Sequence, residues 1–244
     1  MKKILILSLA ASSLLFAGEF GVEVGAQQSK LKADFAYGDS SLRTKVDEND
    51  LGLDDKQTSI KPRLYYKSGN HTIDFDFEAL DFSGSNLLTK TINFDDKVYT
   101  IGSKVDSTLE IDWYRLGYKY KVLGDEKSYL NLGLDLNILD TDVGLKSSTI
   151  NSSYSETIPL PTLVLSGNYS INDRVGVEAK FAGMSLGSNG NYTEIFAGVN
   201  MQCFLIDNGQ WRLGYQSKKL EVDIDDFDGE LKFSGAFLGF NYKF

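Results

Sequence analysis

The chain has 244 residues, with 25 Lys+Arg against 34 Asp+Glu and a formal net charge of −9 at pH 7. That acidic balance argues against nucleic-acid binding, which needs a basic surface. The single cysteine, Cys203, excludes an intramolecular disulfide framework, while 23 Gly, 13 Tyr and only three Pro suit one domain of strands and turns.

Lys2 and Lys3 form a short positive segment, and Ile4 to Phe16 is apolar or small, the pattern of a cleavable export signal ending at Ala17. The expected division is a signal peptide over 1–17 and one mature domain over 18–244. Without Lys2 and Lys3, 23 basic residues stand against 34 acidic ones, a net charge of −11. No Cys follows Ala17, so a lipoprotein anchor is not expected. No later stretch reaches the ~20 apolar residues of a membrane-spanning helix.

Ten strands are predicted from side chains that alternate with period two. The first, 19–29, sets Phe20, Val22, Val24 and Ala26 against Glu23. A polar excursion runs from Lys32 to Lys56. The second strand, 57–67, places Ile60, Pro62, Leu64 and Tyr66 opposite Lys61 and Arg63, and Ser68-Gly69-Asn70 turns the chain. In the third, Ile73, Phe75, Phe77 and Ala79 alternate with Asp74, Asp76 and Glu78. A second excursion occupies 83–104.

The fourth strand, 105–122, shows Leu109, Ile111 and Trp113 against Glu110 and Asp112, then Leu116, Tyr118 and Tyr120 against Arg115, Lys119 and Lys121. The parity flip between Trp113 and Leu116 predicts a β-bulge. The fifth, 129–146, runs Leu130, Leu132, Leu134, Leu136 and Ile138 against Asn131, Asp135 and Asn137. The sixth, 157–171, alternates poorly because of Leu160 and Val164. The seventh, 174–187, has Val175, Val177, Ala179 and Phe181 against Glu178 and Lys180. The eighth, 192–206, has Ile195, Ala197, Val199, Met201 and Leu205, ending at the Asp207-Asn208-Gly209 turn. The ninth, 210–224, has Trp211, Leu213 and Tyr215 against Arg212, Gln216 and Lys218. The tenth, 230–244, closes with Leu238, Phe240, Tyr242 and Phe244 on one face.

None of the apolar-parity residues named above is charged, and a Lys or Arg facing mid-bilayer lipid costs ~2–4 kcal/mol. Connections after strands two, four, six and eight are short, and those after one and three are long, as in barrels with short periplasmic turns and longer external loops. Aromatics (Tyr65, Tyr66, Tyr118, Tyr120, Tyr129, Tyr169, Trp211, Tyr215, Tyr242, Phe244) gather near the short turns as an interfacial girdle. The expected fold is therefore all-β, an antiparallel transmembrane up-and-down β-barrel of about ten strands, with eight or twelve as alternatives. A soluble periplasmic lipocalin-like barrel is the competing architecture, with its apolar face inward. The terminal Phe, the girdle and the loop asymmetry favour the membrane version.

The final strand, closing on Phe244, resembles the terminal strand of bacterial outer-membrane β-barrel proteins. In those proteins the barrel-assembly machinery reads that strand. From about residue 105 onward the chain resembles a family of short Gram-negative outer-membrane β-barrel proteins with no assigned activity. The resemblance lies in Tyr114-Arg115-Leu116-Gly117-Tyr118, Leu130-Asn131-Leu132-Gly133-Leu134, Ile158-Pro159-Leu160-Pro161, Leu213-Gly214-Tyr215 and Asp226-Phe227-Asp228. It implies residence in the outer membrane, beside its lipid and lipopolysaccharide. It implies no catalytic or ligand-binding residue.

The residues themselves supply no site either. The lone His71 follows the Gly69-Asn70 turn at the expected periplasmic end and shares parity with Ile73, which places it at the interface. That excludes a His-dependent hydrolase with its site on the external rim. Lys61, Arg63, Arg115, Lys119, Lys180, Arg212 and Lys218 are expected to meet Asp74, Asp76, Glu78, Glu110, Asp112, Asp135, Glu178 and Glu194 in the lumen. There they either fill a narrow barrel or set ion selectivity. The turn Asp223, Asp225, Asp226, Asp228 lacks the spacing of a calcium loop. Cys203 reads as a small lipid-facing residue with nothing basic beside it. The expectation is a monomeric, non-enzymatic outer-membrane barrel with no catalytic, cofactor or metal site, acting through external loops 30–56 and 83–104 by adhesion, surface shielding or small-solute passage. The alternatives are a narrow channel, an enzyme with an external site built on Glu110 and Asp112, and the soluble binding barrel.

Overall fold

The computed structural model describes residues 18–39, 43–185, 187–224 and 227–244. The expected export signal over 1–17 and two residues of the acidic turn, Asp225 and Asp226, lie outside them. Thirteen strands follow in order: β1 (Glu19–Tyr37), β2 (Val46–Asp47), β3 (Lys56–Ser68), β4 (His71–Leu87), β5 (Ile92–Phe94), β6 (Lys97–Tyr99), β7 (Lys104–Gly124), β8 (Tyr129–Lys146), β9 (Asn151–Ser170), β10 (Val175–Ser185), β11 (Gly190–Gln202), β12 (Gly209–Ile224) and β13 (Phe227–Lys243). Ten of these form the wall, each antiparallel to its chain neighbours. β13 returns to β1 from Gly21↔Lys243 to Tyr37↔Phe227, which closes a ten-stranded barrel. Closure pairs the backbone groups that an open edge would leave bare, the condition for a strand structure to cross lipid.

The wall strands are longer than a crossing requires. β7 has 21 residues, β9 has 20 and β1 has 19, whereas a tilted strand spans a bilayer in ~9–11. The excess lies at the end away from the short turns, and there the two faces exchange chemistry. In β4 the outward residues run from Ile73 and Phe75, half-exposed and apolar, to Asp81, Ser83 and Ser85. The inward residues run from Asp74, Asp76 and Glu78 to Leu80 and Phe82, which are 2% and 0% exposed. Lipid outside the lower half demands an oily exterior. Water outside the upper half allows an ordinary hydrophobic interior.

This inversion corrects the expected bulge in β7. The register with β8 is unbroken from Asp106 to Lys121 and shifts only between Lys121 and Leu123. Leu109, Ile111 and Trp113 point inward and are buried, while Glu110 and Asp112 are exposed on the outer wall. The parity never flips; the environment does. The irregular sixth strand has the same cause, because Leu160 and Val164 of β9 face inward at 0% and 2% exposure, whereas Leu163 and Leu165 face out. Above Leu163, β9 has no β10 partner among the described residues, since β10 ends at Ser185. Pro159 and Pro161 stand on that free edge, where two missing N–H donors discourage a further strand from adding.

The two expected external loops are largely built into the head. β1 and β4 extend into them, and β2 pairs with the outer end of β1 through Phe35↔Val46. Val46, Leu51 and Leu53 enter the upper core, as do Leu88, Ile92, Phe94 and Tyr99 from around the β5–β6 hairpin. The Tyr99 hydroxyl donates to the Leu145 carbonyl at 2.8 Å and lies 2.8 Å from Ser152 Oγ, pinning the hairpin across the mouth. Two smaller corrections follow. Strand β11 ends at Gln202, so Leu205 belongs to the turn before Gly209 rather than to the lipid face. Of the girdle, Tyr65 and Tyr129 lie on the inward parity, beside the interior cavity.

Truncating Phe82 to Ala should therefore cost ~3–5 kcal/mol of stability, the usual penalty for a buried aromatic. Asp81→Ala on the adjacent outer wall should stay within ~0.5 kcal/mol. Urea unfolding in detergent measures both, and equal effects would contradict the inverted head.

Candidate functional site

Beneath the apolar head, the interior is ionic. Its lowest tier centres on Arg212 of β12. Its guanidinium grips Glu178 of β10 in bidentate fashion (Nε–Oε1 2.8 Å, Nη2–Oε2 3.0 Å), and Nη1 reaches both oxygens of Glu23 of β1 at 2.5 and 2.6 Å. Rings of Phe196 and Phe237 flank it, their centroids 5.3 and 5.6 Å from the guanidinium carbon. Those rings lie against the wall because the residues beneath them are glycines. A Cβ at Gly25 would strike the Phe237 ring, and one at Gly214 would come within 2.5 Å of Phe196.

A middle tier gathers around Asp74 of β4. Lys119 Nζ lies 2.5 Å from Oδ1, and Arg63 Nη2 and Arg115 Nη2 lie 2.9 and 3.3 Å from Oδ2. Arg115 also pairs with Asp76. Lys180 bridges Asp135 and Glu194 at 2.9 and 3.0 Å. The upper tier is Glu78, which receives Lys218 at 2.8 Å, Lys61 at 3.2 Å and the Ser59 hydroxyl at 3.0 Å. Lys218 Nζ sits 3.8 Å from the centroid of the Trp113 ring. That ring joins the ionic interior to the apolar core, packing against Tyr192 and Phe233 and donating its indole N–H to Asn137 at 3.1 Å.

These tiers hold seven basic and seven acidic side chains. Such balance suits a closed interior, since a buried charge without a partner is expensive. All the expected lumen residues meet here except Glu110 and Asp112, which lie on the outer wall. Glu23 completes the network; its place opposite Val22 and Val24 marked it as inward-facing.

Between the ionic tiers and the short turns lies a chamber of ≈ 410 Å³, bordered by Arg63, Tyr65, Tyr129, Asn168, Arg212 and Asn241 among others. Its lining includes turn residues Asn70, Lys127 and Asp173, so it opens toward the short-turn end. Asn241 Oδ1 and Arg115 Nε have no hydrogen-bond partner among the described residues, and both residues line this chamber. At the mouth, Lys127 pairs with Asp173 at 2.7 Å and Lys243 with Glu19 at 3.4 Å. The Asp125 carboxyl is held below its usual range by backbone N–H groups of Ser128 and Lys127.

His71 lies exposed on the outer wall near the same end, its Nδ1 2.8 Å from the Tyr118 hydroxyl and its ring against Tyr120. Cys203 is half-buried in the turn after β11. Asp223 is exposed at the opposite end.

Replacing Arg212 by Met should destabilise the barrel by ~3–5 kcal/mol, because Glu23 and Glu178 are left charged and unpaired. Adding Glu23→Gln and Glu178→Gln should recover most of that loss. Urea titrations of the single and triple variants test this, and an undiminished loss in the triple variant would refute the clamp.

No family model and no curated protein matches the sequence. Among solved structures, the outer-membrane protease OmpT from Escherichia coli is similar with a TM-score of 0.62 at 10% identity, over 93% of this chain and 97% of that one. Ail, the attachment invasion locus protein of Yersinia pestis, aligns at a TM-score of 0.42 and 12% identity, covering 94% and 100% of the two chains. The OmpT likeness bears on the fold alone. Together with the closed wall and the lipid-facing belt, it gives this chain the ten-stranded fold of a Gram-negative outer-membrane β-barrel.

Proposed function

We propose that this outer-membrane barrel is a non-conducting, non-enzymatic surface protein that acts through the outside of its projecting head. In this reading the signal over 1–17 is removed and the barrel-assembly machinery reads β13 and Phe244. The barrel then stands as a monomer, its short turns in the periplasm. The observation that carries it is the apolar plug. Leu80, Phe82, Ile92, Leu109, Trp113 and Phe233, each at most 2% exposed, fill the bore above the ionic tiers. An ion entering the periplasmic chamber meets a paired network and then hydrocarbon, where an unpaired charge is costly.

The same geometry bears on the enzyme alternative. His71 sits at the end opposite the head. Glu110 and Asp112 are exposed on the outer wall, Glu110 across from Asp81 and Asp142 and Asp112 across from Ala79 and Asp140. None of those cross-strand partners is a His, Ser or Cys, so a site here would have to be built from carboxylates alone. The segments expected to act as free loops serve instead to cap the lumen, so recognition falls to the polar outer wall and rim, the adhesion or shielding role.

Purified protein in a planar bilayer should give no stepwise current above background. Reproducible unit conductance would overturn the non-conducting reading. In cells, the chain should sediment with the outer membrane and migrate differently on a gel before and after boiling. A freely soluble periplasmic product would refute the membrane reading altogether.

A further inference from the structure

The chamber beneath the ionic tiers carries a belt of amides that neither the closed wall nor the plug requires. Gln210 of β12 donates from Nε2 to Asn200 Oδ1 of β11 at 3.0 Å. Asn200 donates from Nδ2 to Asn168 Oδ1 of β9 at 2.6 Å, and Asn168 donates to the Lys127 carbonyl at 2.5 Å. All three amides line the chamber. The belt passes β10 at Gly176, where a Cβ would stand 2.8 Å from Asn200 Oδ1 and 3.1 Å from Asn168 Oδ1. A side chain at that position would break the relay.

The belt has unspent capacity. A side-chain amide offers two N–H donors and two acceptor lone pairs, and the relay uses one of each at Asn200 and at Asn168. Asn241 of β13 stands across from Gln210 on one side and from Glu23 on the other. It is 6% exposed and close to the Tyr65 hydroxyl, and its Oδ1 accepts no hydrogen bond among the described residues. Four strands further round the wall, along the register Asn241–Glu23–Arg63–Asp76–Arg115, Arg115 Nε is a buried donor without an acceptor. Leaving a buried polar atom unpaired is costly. Two such atoms on one chamber mark contacts that a ligand completes.

The lining also selects the class of ligand. One orphan accepts and the other donates, so the partner must do both, as a hydroxyl or an acetamido group does. The cations of the tiers are committed to carboxylates, and at the mouth Lys127 pairs with Asp173 and Lys243 with Glu19. Net charge on a ligand therefore gains little. Tyr65, Tyr129 and Phe237 add ring surface to the wall, against which the C–H face of a pyranose packs. The volume of ≈ 410 Å³ falls within the ~300–1,000 Å³ of small-molecule pockets.

We propose that this chamber binds a small uncharged saccharide, entering from the short-turn end and held by Asn241, Arg115 and the amide belt. This site is separate from the surface role given above and does not depend on what the head recognises.

The test uses the mature chain in an amine-oxide detergent, which has no sugar headgroup, titrated calorimetrically with N,N′-diacetylchitobiose, maltose, glucose 1-phosphate and glycerol. Wild type should bind at least one of the two disaccharides saturably at millimolar concentration or below, with an affinity that added salt leaves unchanged. Glucose 1-phosphate should bind no more tightly, and glycerol should not saturate. Asn200→Leu/Asn241→Leu should lose roughly ten-fold in affinity, the worth of one or two hydrogen bonds. Asp112→Asn on the outer wall should retain it. If the double variant does not fold, Gly176→Ala, which crowds the belt without deleting an amide, serves in its place. Saturable binding of neither disaccharide would show a chamber that holds water only and overturn the site. So would undiminished affinity in a folded belt variant, and tighter binding of glucose 1-phosphate would overturn the uncharged class. The heat-dependent gel shift is read on every sample. Its absence in wild type would sink the barrel itself, whereas its presence without disaccharide binding sinks only the saccharide site.

Discussion

Backbone polarity in hydrocarbon is the constraint from which the rest of this molecule follows. A strand in lipid must pair on both sides, so the sheet closes, with β13 meeting β1 over fifteen paired positions from Gly21 to Tyr37. Ten strands enclose a bore that side chains can fill, and period-two geometry then commits half of every strand to that interior. In the membrane the outward half is apolar. The polar residues that remain must satisfy one another inside, which is why Arg212, Asp74 and Glu78 each collect several partners. Each of those groups depends on its neighbours. A single deletion leaves charges stranded, whereas simultaneous neutral replacement is tolerable.

How far the sequence disclosed this depended on whether one rule covered a whole strand. Where it did, as in β8 from Leu130 to Ile138 or in the carboxylates of β4, the alternation placed each residue on the correct face. Strand number, closure and the lumen position of Arg212 were legible in this way. Alternation, however, reports only that two faces differ. It does not report which one is wet, and in this barrel the answer changes along the strand. Trp113 and Leu116 lie on opposite faces and are both apolar because one packs against Tyr192 inside the head and the other touches lipid. Read with one rule, that boundary looks like a bulge. The signal that could have exposed it was strand length, since a 21-residue β7 cannot lie wholly within a bilayer.

The excursions were illegible for a different reason. Burial of Ile92, Phe94 and Tyr99 is decided by the shape of the bore that they enter, and that shape is assembled from ten separated segments. Mixed polarity over 83–104 looks like a solvated loop until the cavity above Trp113 exists to receive every second residue of its hairpin. The end of the barrel away from the short turns is thus folded by the same hydrophobic effect that folds a soluble protein. The short-turn end remains open and polar.

That division explains why polarity on the outer wall carries information while the charge of the ionic tiers does not. Inside, seven cations and seven carboxylates neutralise one another, and the arrangement is fully accounted for by packing and pairing. Outside the head, water would accept any polar residue, so folding places almost no demand on the sign of each charge. A random scatter would cost nothing. Instead, the rung Lys219–Lys232–Lys32 on β12, β13 and β1 is followed directly by the rung Glu221–Glu230–Asp34, whereas on β4, β7 and β8 Asp81, Glu110, Asp112, Asp140 and Asp142 stand with no lysine among their cross-strand partners. A run of carboxylates facing one another across β4, β7 and β8 costs stability, and that excess is where the function of this barrel is to be sought.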